Sequence, residues 1–220
     1  MIEARRIPRV QRSILFALGA LRSCSTQARS ALLFGILIAI GAGACAKRST
    51  EPPPIIGELP EFLLLDQHGN ERNVESLRGE PLIASFIFTR CVTACPLLTS
   101  QMLNLQNRLG DLKEKVKMLS ITVDPEYDTP EVLAAYAKER GADYRWIYLT
   151  GPLADVRIAI ERGFRVRAGD RVPLGADGFD ILHATHLVLL DEEARIRGYY
   201  RSDGEGLEEL ERDIRALFAK

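Results

Sequence analysis

The sequence has no internal repeat, no low-complexity tract beyond one short linker, and no basic patch interleaved with aromatics in its body. These absences exclude a repeat array and make nucleic acid an unsuitable partner. Long apolar runs are also missing: the best, Ala31–Ile40 (ALLFGILIAI), falls short of the roughly 20 residues that span a bilayer comfortably. Net charge is nearly absent, at −1 over 220 residues, but the balance is uneven. Residues 1–45 hold six arginines against the single acid Glu3, giving +5 there and leaving −6 for the remainder. Cysteine and histidine are sparse, with four and three copies, so few residues are available for soft-metal or thiol chemistry.

What is present begins with an address. Six arginines, the short apolar run and the small residues Gly41–Ala44 form the n-region, h-region and cut site of a secretory signal. Cys45 after Ala42-Gly43-Ala44 resembles a bacterial lipoprotein box, with Ala42 where a larger aliphatic is usual. Cleavage with lipidation of Cys45 and a short uncleaved anchor both stay open, and both export the protein and tether it to a membrane on the extracytoplasmic (periplasmic) side. Cys24 lies inside this leader and carries no expected role. The polar, proline-rich residues up to Gly57 read as a linker. The expected division is therefore residues 1–45 as signal peptide or membrane anchor, 46–57 as linker, and 58–220 as one globular domain of ordinary size.

The domain is organised around Phe86–Pro96, FIFTRCVTACP. The apolar run from Leu82 reads as a buried strand. Pro96 suits a first helical turn, and Leu98, Met102, Leu105 and Leu109 then recur on one helix face. Cys91 thus falls just past a strand end and Cys95 at a helix start, where open amides and the helix dipole favour a thiolate. Cysteines at i and i+4 can form a disulfide or hold one soft cation together. A loop this short restricts the unfolded chain little, so a purely stabilising staple is a poor explanation.

Around that segment, Phe62–Leu65 and a second stretch through Val74 read as a hairpin closed by Asp66–Asn70, with His68 a solvated turn residue. Val116–Val123 reads as a strand. Thr129-Pro130-Glu131 and Gly141 bound a helix. Trp146–Leu149 is the next strand and Pro152–Arg162 the next helix, with an imperfect apolar face. Arg167–Leu182 reads as a polar loop containing an Asp177-Gly178 turn signal. Thr185–Leu190 and Arg195–Tyr199 make an antiparallel pair, and Leu207–Phe218 a closing amphipathic helix. The order predicts a thioredoxin-like α/β fold with an N-terminal β-hairpin extension, its cysteines at the carboxyl end of a central strand.

Two cysteines and one histidine make a three-coordinate site suited to copper, Cu(I) or Cu(II). His183 and His186 are both candidates. Three apart in a strand, they face opposite ways. His186 shares a face with Val188 and Leu190, whereas His183 stands at the loop end, and spacing favours His183 without closing the alternative.

FTRC-VTA-CP, SITVDPEYDTPEVLAAYA at Ser120–Ala137, WIYLTG at Trp146–Gly151 and a histidine ahead of the LLD before the final hairpin together resemble the Sco/SenC family, from about Glu58 to the C-terminus. The resemblance implies a membrane-tethered thioredoxin-fold copper chaperone that loads the CuA centre of cytochrome c oxidase. It makes Cys91, Cys95 and His183 the copper ligands and the CuA-bearing oxidase subunit the partner. The chain departs from the pattern at Val92-Thr93, where the family often has proline and an acid, and at Asp180-Ile181-Leu182 ahead of the histidine. Asp124 and Asp128 fall in the matching segment but read as a turn and a helix entrance. The competing function is thiol–disulfide exchange on exported proteins through Cys91 and Cys95. It needs no histidine, yet FDILHAT lacks the proline that general thioredoxins place opposite their cysteines. Peroxide removal would need an arginine aimed at an activated thiol, for which Arg90 is the neighbour.

Overall fold

A computed structural model describes residues 51–92, 94–174, 178–183 and 185–219, without the side chains of 170, 171, 173, 174, 178–180, 182 and 183. Residues 1–45, expected to target and anchor the chain, with Cys24 and Cys45, and the first part of the expected linker lie outside the described residues. No helix among those described is long and apolar enough to cross a membrane.

β4 (Leu82–Ile87) is the axis of the molecule, and all six of its residues are buried. Such a continuous apolar run fits a strand covered on both faces rather than one facing water. β4 pairs in parallel with β5 (Lys117–Thr122), and β5 with β6 (Trp146–Thr150). On its other side β4 pairs antiparallel with β9 (Leu187–Leu190), which pairs with β10 (Arg195–Tyr200) and, beyond it, β1 (Gly57–Glu58). The expected N-terminal hairpin, β2 (Leu64–Asp66) and β3 (Glu71–Arg72), adds to β6. Its turn is built by the buried Asp66 carboxylate, which accepts from the His68 and Asn70 amides at 2.8 and 2.9 Å and from Arg72 Nε at 2.9 Å. His68 is exposed there, as expected of a turn residue.

The helices start and stop where local chemistry allows. α1 (Val74–Leu77) opens with an Asn73–Ser76 capping box. α2 (Ala94–Arg108) follows the cysteine turn and buries Cys95, Leu98, Met102 and Leu105. α3 (Pro130–Arg140) is capped by Thr129 and ends at Gly141 with φ 72°, a left-handed conformation that glycine adopts without strain. α5 (Gly204–Leu217) begins earlier than the apolar pattern indicates because Asp203 caps it through the Gly206 amide. α4 (Leu153–Arg157) continues into a π-helical turn over Ile158–Gly163, and Val156, Ala159, Ile160 and Gly163 turn inward at the spacing of one helix face. Phe164 follows, its ring set edge-on against Phe86 of β4 at 5.4 Å.

One expectation is corrected. Arg167–Leu182 is not a loop but mostly a separate two-stranded ribbon, β7 (Ala168–Leu174) antiparallel to β8 (Gly178–His183). Both strands of an isolated ribbon are edge strands, so Pro173 can sit in one without interrupting a wider ladder. Asp177 of the turn signal lies outside the described residues. His183 is accordingly the last residue of β8, paired through its backbone with Ala168, rather than the end of a loop.

Candidate metal centre

The cysteine turn hangs from the end of β4. The Cys91 amide donates to the Phe88 carbonyl at 3.1 Å, closing a tight turn over Thr89 and Arg90. Both central residues of that turn are held from one neighbouring loop, the one that follows β5. The Thr89 amide and hydroxyl donate to the Asp128 carboxylate, the amide at 3.1 Å. Arg90 donates to Asp124 through Nε and Nη2 at 3.1 and 2.6 Å, and its guanidinium lies 4.1 Å from the centre of the Tyr127 ring. The Thr122 hydroxyl donates to Asp128 and accepts the Asp124 amide at 3.0 Å. Burial pushes the Asp128 carboxyl above the usual carboxylate range, with the nearby Asp124 charge adding, against the hydrogen bonds from Thr122 and Thr89 that favour its ionised form.

Cys91 is 4% exposed and Cys95 is fully buried, and both are thiols in this structure. The Cys95 amide donates to Cys91 Sγ at 3.3 Å. The sulfur therefore takes the position of a cap at the start of α2, where the helix's positive end favours negative charge. Val92 between them is 86% exposed, so the pair sits just beneath a surface ridge. Thr93 lies outside the described residues. One turn on from Cys95, the Thr99 hydroxyl meets the Tyr136 hydroxyl at 3.2 Å, and burial raises the Tyr136 phenol above its ordinary value.

The topology carries His183 toward this end of the sheet. β9 runs antiparallel to β4, with Ala84 opposite Val188, so Leu187 at its start lies toward the end from which Cys91 leaves. His183 closes β8 a few residues earlier; its side chain is outside the described residues. Among the described residues no three His, Cys, Asp or Glu side chains come together as a metal cluster. His186 precedes β9, outside the strand that holds Val188 and Leu190, and is exposed, which fits a surface histidine rather than a packed core one. A cleft of about 200 Å³ separates the ribbon at Gly169 and Ile181 from Asp124, Pro125 and Glu126.

Among the described residues the donors suited to a soft cation are two sulfurs within one turn of backbone, shielded from water. Arg90 is engaged by Asp124 and Tyr127, which leaves the peroxide reading without a structural argument in its favour. The sequence missed the work of Asp124 and Asp128. The available signal was the pairing of two short polar residues, Thr89 and Thr122, at the ends of adjacent strands with acids in the following loop.

The SCO1/SenC family model matches residues 51–219. The chain is 38% identical over 99 residues to a SCO1 protein homolog of Bacillus subtilis, a match covering 44% of this chain and 51% of that protein, so it spans about half of that relative. Among solved structures it is similar to Bradyrhizobium japonicum ScoI with copper bound, at 26% identity and a TM-score of 0.63, covering 73% of this chain and 99% of that one. It is also similar to a SCO1/SenC family lipoprotein from Bacillus anthracis, at 28% identity and a TM-score of 0.65, covering 74% and 96%.

Proposed function

Because the chain belongs to the SCO1/SenC family, we propose that it is a membrane-tethered, extracytoplasmic copper chaperone that binds the ion through Cys91, Cys95 and His183. The observation that carries this reading is the buried cysteine pair, set one turn apart at the end of the central strand with the Cys95 amide on Cys91 Sγ. The similar Bradyrhizobium japonicum protein holds copper in its solved structure. Copper is cargo here. The two thiolates accept it, His183 completes the set from the ribbon, and incoming thiols of the acceptor displace the chain's own ligands one at a time. The acceptor under this reading is the cytochrome c oxidase subunit that carries CuA.

The domain limits follow the same reading: residues 1–45 target and anchor, 46–57 link, and 58–220 fold around β4. Lipidation at Cys45 is in keeping with the lipoprotein among the similar structures. Thiol–disulfide exchange is the second reading, favoured by the same one-turn spacing of the sulfurs. The two functions exclude each other in time, because a Cys91–Cys95 disulfide leaves no thiolate for the ion.

The test is copper stoichiometry and affinity of the full chain, purified reduced, beside Cys91→Ser and His183→Ala. Near one copper per chain, lost in Cys91→Ser and strongly weakened in His183→Ala, is the expected result. No copper above background, with disulfide exchange unaffected by His183→Ala, would overturn it in favour of the oxidoreductase.

A further inference from the structure

Asp128 is completely buried, and among the described residues no cation pairs with it. An interior carboxylate without a counter-charge is expensive unless hydrogen bonds satisfy it. Two of its three hydrogen bonds come from a single residue, Thr89, and the third from Thr122. Thr89 lies in the turn that ends on Cys91, and the other central residue of that turn, Arg90, is held by Asp124 of the same loop. The position of Cys91 is therefore fixed from outside its own segment, by the loop between β5 and α3.

We propose that Asp128 is the positioning residue of the cysteine pair, acting through Thr89 to hold Cys91 Sγ against the Cys95 amide. In its absence the turn loses the bonds made through Thr89, and the sulfur is no longer held from that side opposite the start of α2. The inference rests on the copper reading for one of its two readouts and is independent of it for the other.

Thr89→Val removes the hydroxyl while keeping the shape, and Thr89→Ser restores it. Ser85→Ala is the comparison: Ser85 also lies on this segment of chain, its buried hydroxyl meeting Ser120 Oγ at 2.8 Å on β5, away from the turn. Each full-length variant is measured for Cu(I) affinity by competition with a chromogenic chelator and for thermal midpoint. The dithiol–disulfide equilibrium is measured against glutathione. In that reaction the two thiols give two electrons and two protons to glutathione disulfide, forming the Cys91–Cys95 bond and two glutathione thiols.

Loss of a residue that orients a ligand typically weakens metal binding about 10- to 100-fold, and that is the fall expected of Thr89→Val. Its glutathione equilibrium shifts as well, Thr89→Ser restores both, and Ser85→Ala lowers the thermal midpoint while leaving both at wild-type values. The proposal is overturned if Thr89→Val matches Ser85→Ala in affinity and equilibrium, or if Thr89→Ser fails to restore them. If the wild type binds no copper and the glutathione equilibrium still separates Thr89→Val from Ser85→Ala, the copper reading falls and the positioning role stands.

Discussion

Tyr148 invites a substitution that should make the protein more stable. Its side chain is fully buried on β6, and its hydroxyl has no hydrogen-bond partner among the described residues. Burial, with Tyr136 close by, pushes that phenol far above its ordinary value, so the group stays an uncharged O–H. The ring is well placed: it stacks on Trp146 at 5.5 Å and meets Tyr136 edge-on at 6.1 Å, and phenylalanine preserves both contacts. An unsatisfied buried hydroxyl costs about 1–3 kcal/mol. The gap left by one oxygen, roughly 10 Å³, returns only about 0.2 kcal/mol of that. Tyr148→Phe is therefore expected to gain about 1–2 kcal/mol, which raises the thermal midpoint of a domain this size by about 2–8 °C. Tyr136→Phe should do the opposite, because its hydroxyl does have a partner in Thr99. Thermal unfolding of both variants, reduced and without copper, supplies the measurement. A lower midpoint for Tyr148→Phe, or the same sign for both variants, would refute the reasoning.

Arg90→Ala and Asp124→Ala, singly and together, should show a coupling of about 1 kcal/mol or more in denaturant unfolding, since the pair is hydrogen-bonded and the Asp124 side chain is only 2% exposed; additive effects would contradict the ion pair. For pH, burial raises the Asp66 carboxyl but hydrogen bonds from Asn70, Arg72 and His68 outweigh it and hold it below its ordinary value. A depressed carboxyl stabilises above the unfolded value, about 3.9, and its contribution fades as pH falls through the folded one. The stability gap between wild type and Asp66→Asn should thus be full at neutral pH and shrink below about pH 4, and a constant gap in urea melts would contradict this. Asp128 works the other way: raised by burial, it favours folding least once pH has climbed past its folded value. Copper held at 100-fold above its dissociation constant should add about 2.7 kcal/mol to the reduced protein. That is a rise of roughly 5–11 °C in thermal midpoint, absent in Cys95→Ser.

Much of this molecule can be read from local chemistry. The unbroken run at Leu82–Phe88, Thr129-Pro130 with Gly141, and the Asp66 turn each declare their element because the deciding forces lie within a few residues. The ribbon over Ala168–His183 stayed hidden because glycine and proline look like breakers unless one knows that both strands are edges. The cysteine pair announces itself by spacing, whereas the aspartates behind it do not. Their partners Thr89 and Thr122 become neighbours only through the parallel register that sets Ile87 against Thr122. His186 shows the reverse error: a strand pattern extended past the point where pairing begins, at Leu187.

The chain ahead of Gly57 is fastened along the outer edge of the sheet. The Ile56 amide bonds the Ile196 carbonyl, Arg197 grips the Pro53 carbonyl at 2.7 Å, and β1 contributes only two paired residues. A pull on the N-terminal side would meet this short seam first and unzip it bond by bond, at low force. β10 and β9 stand between the seam and β4, so the load is spent two strands away from Cys91. A protein held by a leash at that end could be tugged, lose its outermost strand, and still keep its grip on whatever the cysteines hold.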